Sequence, residues 1–77
     1  MSKQERSTSD ADYSADHIRE VIEQYVWGRH AERNRKILSR RLVDGICFEP
    51  LAEEFDMSVR QIQNIVYKYQ ERVLRNL

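Results

Sequence analysis

The sequence predicts an all-α protein, a small bundle of four helices. Three observations carry that expectation. Apolar residues recur at three- and four-residue spacing through most of the chain, the period of a helix buried on one face. Two Gly and one Pro among 77 residues leave few turns, and strand hairpins need many. A chain this short builds one thin core at most, so every helix must bury its apolar face in the same cluster.

Residues 1–13, MSKQERSTSDADY, have no apolar period and are expected to form a disordered polar tail. Residues 14–77 are expected to form one helical domain. Ser14 is the N-cap expected of the first helix, about Ala15 to Trp27, and Gly28 closes it. Ile18, Val21, Ile22, Tyr25 and Val26 fall on one face of that helix. A stripe this wide is not left in water. It either folds back over the rest of the chain or pairs with a second copy, as a homodimer.

A second helix is expected from about Ala31 to Asp44, with Ile37, Leu38 and Leu42 inward and Gly45 as its stop. Its outer face is almost entirely basic. A short third helix follows, from about Phe48 to Phe55, with Leu51, Ala52 and Phe55 inward. Pro50 sits in its first turn, where a missing N–H costs nothing. Asp56 then stands where the chain must turn sharply with φ > 0, which Asp tolerates better than most residues.

The last helix opens at Ser58. Gln61 three residues later completes a capping box, and Met57 and Ile62 have hydrophobic-staple spacing. Ile62, Ile65, Val66, Tyr69 and Val73 form its inward stripe. The interruption at Asp56-Met57-Ser58 therefore reads as a tight turn between a short helix and a long one. That is the helix-turn-helix pattern, whose second helix enters the DNA major groove. Leu51, Ala52, Phe55, Met57, Ile62 and Ile65 supply the apolar or small residues such a unit needs, and Asp56 replaces the usual turn Gly.

Net charge is zero, but its distribution is uneven. The net is −3 over residues 1–28, +5 over 29–43, −5 over 44–56 and +3 over 57–77. A chain neutral in sum can still attract phosphate locally.

Other classes lack support. No apolar run approaches the roughly 20 residues that span a bilayer, and the N-terminus lacks the apolar region of a signal peptide. No membrane partner is expected, and the expected location is cytoplasmic. Cys47 stands alone, excluding an intrachain disulfide, and with His17 and His30 it offers no metal-ligand spacing. Cys47 reads as a small, half-buried helix-entry residue, and the two His as surface residues. Trp27 and Tyr25 read as core rather than as a base-stacking platform. Glu53 and Glu54 are adjacent, about 100° apart on a helix, and make a poor catalytic pair. With no nucleophile–base arrangement and no phosphate loop, neither an enzyme nor a cofactor is expected.

The stretch from Arg33 to Leu77, and within it ILSRRLVDGICFEPLAEEFDMSVRQIQNIVYKYQERVL, resembles the C-terminal promoter-reading region (region four) of bacterial sigma factors. A basic helix, a Gly-centred link, an LAEEF helix, an MSVRQIQ entry and a long basic helix come in the same order. The resemblance implies a three-helix unit preceded here by one extra helix. It also implies a last helix that reads the −35 element and neighbouring surfaces that touch RNA polymerase or activators. No segment corresponds to the family's other core domain, so a complete sigma factor is not expected.

Residue types fit that transfer. Val59, Arg60, Gln63, Asn64 and Tyr67 lie off the buried stripe of the last helix and are the expected base contacts. Arg can fork to guanine, and Gln or Asn can pair with adenine. Ser58, Lys68 and Arg72, with Arg40 and Arg41 on the second helix, are the expected contacts to the DNA backbone. The reading is a sequence-specific regulator of transcription acting on double-stranded DNA. The alternative is a protein-interaction module of the same fold, docking on RNA polymerase or another regulator.

Overall fold

A computed structural model describes residues 14–77, and the tail expected over residues 1–13 lies outside them. The described residues form four α-helices and no strand: α1 Ala15–Tyr25, α2 Ala31–Leu42, α3 Phe48–Glu54 and α4 Val59–Arg75. The protein is all-α, as its apolar periodicity predicts.

Helix α1 starts where its cap residue requires. The Ser14 hydroxyl accepts the His17 backbone N–H at 3.1 Å, which satisfies one of the first-turn donors. The helix ends at Tyr25, two residues earlier than expected. Val26 turns to extended backbone (φ −117°, ψ 103°) while its side chain enters the core. Gly28, with φ +122°, then redirects the chain. Trp27 is not core: it is 58% exposed, a correction to the sequence reading. Once Val26 leaves the helical register, the next side chain points away from the apolar cluster.

Helix α2 is also two residues shorter than expected, ending at Leu42 with Val43 as C-cap. The Ile46 N–H reaches back to the Arg40 carbonyl at 3.1 Å, and Gly45 takes φ +70° to allow it. Helix α3 ends at Glu54, with Phe55 as its cap. Cys47, its N-cap, is exposed rather than half-buried. An N-cap residue lies outside the helical face that packs, so a small apolar side chain there gains no burial.

The core draws on every helix. Val21, Ile22 and Val26 come from α1 and its cap, Ile37 and Leu38 from α2, Leu51 and Ala52 from α3. Helix α4 adds Ile62, Val66, Tyr69 and Val73. Each fully buried aliphatic side chain contributes about 1.5–3 kcal/mol over leaving it in water. Leu42, Phe55 and Ile65, expected inward, are half-buried at the margin of this cluster. The apolar stripe of α1 packs against both α2 and α4 of the same chain. His17 Nε2 lies 3.2 Å from the Leu77 carbonyl, tying the start of α1 to the end of the chain.

Candidate nucleic-acid interface

The connection between α3 and α4 sets the geometry of the candidate site. Asp56 adopts φ +55°, as its place in the sequence predicts. Its N–H donates to the Glu53 carbonyl at 3.3 Å, and the Met57 N–H donates to the Ala52 carbonyl at 2.9 Å. This pair of bonds is a Schellman motif with Asp56 in the left-handed position. Ser58 immediately caps α4. Its N–H donates to Gln61 Oε1 at 2.9 Å, while its Oγ accepts the Gln61 N–H at 3.1 Å. Every backbone donor from Asp56 to Ser58 is thus engaged, and a turn without loose donors holds the first turn of α4 rigidly against α3.

Helix α4 buries one face and presents the other. Arg60, Asn64 and Lys68, four residues apart, are all exposed and make one line along the outward side. Neither Arg60 nor Lys68 pairs with a carboxylate among the described residues. Gln63 is half-buried. Tyr67 is 58% exposed, and its ring meets Phe48 edge-on at 5.8 Å. Val59, expected among the base contacts, is half-buried against the core. Ser58 is exposed, with its hydroxyl engaged as the cap.

The expected backbone-contacting arginines have intramolecular partners. Arg40 Nη2 pairs with Glu54 at 3.0 Å and its Nη1 with Asp44 at 3.1 Å. The hydrogen bonds to Glu54 and then to Asp44 push its pKa further up. These contacts join α2 to α3, and because the pairs are well exposed they add little stability. Arg41 donates to the Ile46 carbonyl at 3.1 Å and lies 4.5 Å over the Phe48 ring. Arg72 Nη1 reaches the Tyr25 carbonyl at 3.5 Å and lies 5.5 Å from the Trp27 ring. Lys68 Nζ lies 5.3 Å from the ring of Tyr69. Of the expected backbone contacts, Lys68 is the cation with the most open surroundings.

An open groove of about 650 Å³ adjoins this line, where the α1–α2 link passes α4. Asn64 and Lys68 form one rim; Trp27, Arg29, Arg33 and Arg72 contribute the rest of its charge and its aromatic wall. The sequence places Trp27 in the core, and Arg29 and Arg33 only in a basic run from Arg29 to Arg41 that reads equally as phosphate contact or as a solvated helix surface. The available signal was an aromatic residue two positions before a basic run.

Among the described residues, no group of three His, Cys, Asp or Glu side chains could hold a metal ion. No helix among them is long and apolar enough to cross a membrane. No protein-family model matches the chain, and no curated protein or solved structure matches it.

Proposed function

We propose that the chain is a helix-turn-helix module that binds double-stranded DNA and regulates transcription, with α3 as the supporting helix and α4 as the reader. One observation carries the reading. A turn closed by a Schellman motif and a capping box delivers a 17-residue helix whose outward line is Arg60, Asn64 and Lys68. Arg60 and Asn64 are residue types that pair bidentately with base edges, and Lys68 suits a phosphate. Gln63 and Tyr67 flank that line. The resemblance of residues 33–77 to sigma region four agrees with this assignment and suggests a promoter-like target.

The second reading is a protein-interaction module that docks on RNA polymerase or another regulator. Zero net charge favours it, as does the engagement of Arg40 and Arg41 within the chain. Titration with non-specific duplex DNA at two salt concentrations separates the two. The DNA reading expects affinity that falls steeply with salt, by a logarithmic slope of roughly 0.9 per phosphate neutralised. Absence of duplex binding at low salt would leave the docking module as the better account.

A further inference from the structure

We propose that the groove between the α1–α2 link and α4 is a binding site for a nucleoside phosphate. Its cations would hold the phosphate, and its indole would face the base.

Four features of the groove carry this. Arg29, Arg33, Lys68 and Arg72 line it, and none of them pairs with a carboxylate among the described residues. Like charges gathered without a counter-ion favour a multiply charged anion. Trp27 is 58% exposed yet held in place, with Nε1 donating to the Gln24 carbonyl at 2.8 Å and Arg72 over the ring at 5.5 Å from its centroid. An ordered, exposed indole is a stacking surface for any base.

Asn34 is the third feature. It is only 7% exposed and lines the groove, and its Oδ1 accepts Arg33 Nε at 3.2 Å and Nη2 at 3.0 Å. Only the oxygen can accept those N–H groups, and the amide nitrogen has no protein acceptor among the described residues. A buried donor without a protein acceptor costs stability unless water or a ligand supplies one. The same amide occupies the Nε–Nη2 edge of Arg33 and fixes its pose, which leaves the Nη1 side of the guanidinium for a phosphate. Fourth, His30 makes no side-chain cap to α2, so the positive end of that helix, beside Gly28 and Arg29, adds to the field in the groove. A groove of about 650 Å³ lies in the range of small-ligand sites.

Asn64 and Lys68 belong both to the groove and to the outward line of α4. A bound nucleotide would therefore compete with duplex DNA, a consequence that rests on the proposed DNA reading; the site itself does not.

Trp27 is the one tryptophan of the chain, so its fluorescence reports the groove directly. The full chain is titrated with ADP, with inorganic pyrophosphate and with adenosine, excited beyond purine absorption. Saturable quenching by ADP is expected, with pyrophosphate and adenosine each binding more weakly. Arg33→Gln should weaken ADP by about tenfold, the loss of one charge-assisted contact. Arg29→Gln, an exposed position that does not threaten folding, should weaken it in the same direction. Quenching that fails to saturate, or that keeps the wild-type affinity in both variants, would overturn the site. Pyrophosphate binding as tightly as ADP would overturn the nucleoside assignment. A labelled duplex displaced by ADP supports the competition. A duplex that binds but is not displaced removes the competition, and failure of the wild-type chain to bind duplex at all removes the DNA reading, while the fluorescence result decides the site in either case.

Discussion

Arg35 of α2 closes the C-terminal end of α1: its Nε donates to the Val26 carbonyl at 2.6 Å and its Nη2 to the Glu23 carbonyl at 3.1 Å. Helix α1 has no basic residue in its own last turn. Its terminal carbonyls are met from elsewhere instead. The Val26 N–H takes that of Ile22, the Trp27 indole that of Gln24, and Arg72 that of Tyr25. Two cations from α2 and α4 thus stand at the negative end of the α1 dipole.

Arg35→Ala should therefore destabilise the protein by about 1–2 kcal/mol, the low part of the range for charged hydrogen bonds because one acceptor is exposed. Arg35→Lys should recover only part of this, since an ammonium cannot bond both carbonyls as a fork does. Urea denaturation measures both, and a midpoint unchanged in Arg35→Ala would show that water caps α1 equally well.

The turn before α4 makes a prediction of opposite signs at neighbouring positions. Asp56→Gly should be neutral or stabilising, because glycine adopts φ +55° without strain. Ser58→Ala should cost about 1 kcal/mol by removing the N-cap. Thermal melting reads both. A clear drop for Asp56→Gly would mean that the aspartate side chain, and not its backbone, makes the turn.

On the DNA reading, Asn64→Ala should relax preference at one base position by about 1–3 kcal/mol. Lys68→Ala should weaken all sequences alike and reduce the salt slope by about one. Binding to a panel of duplexes at several salt concentrations distinguishes the two effects. If both variants bind like the wild type, α4 is not the reader.

A chain starting at Arg29 should lose cooperative folding. It lacks Val21, Ile22 and Val26, all buried in the shared core. Three such side chains at about 2 kcal/mol each match or exceed the whole stability expected of a small domain, about 5 kcal/mol. Circular dichroism on heating is the measurement; a sharp transition at the temperature of the intact chain would show that α1 is dispensable.

Local order was legible along the chain because it depends on near neighbours. The Ser14 cap, the Ser58–Gln61 capping box, the positive φ at Asp56 and the four helices themselves follow from residue types within a few positions of one another. The same holds for the outward positions of Arg60 and Asn64, set by helical period once Ile62 and Val66 face in. Helix ends were less legible, and all three early ends share one cause. Tyr25, Leu42 and Glu54 stop their helices where the following residue leaves helical geometry and a later N–H bonds back to the last turn.

Partnership between distant side chains was decided by tertiary structure alone. Nothing near Arg35 or Arg72 in sequence, and nothing that would tie Arg40 to Glu54, distinguishes a free phosphate-seeking cation from one held by a carbonyl or carboxylate up to 47 positions away. A guanidinium reaches several ångströms from its backbone, so its partner depends on which helices pack together rather than on local period. For the same reason Trp27, expected in the core, instead walls a groove: one residue of extended chain at Val26 rotates it from the apolar cluster to the side of Arg72.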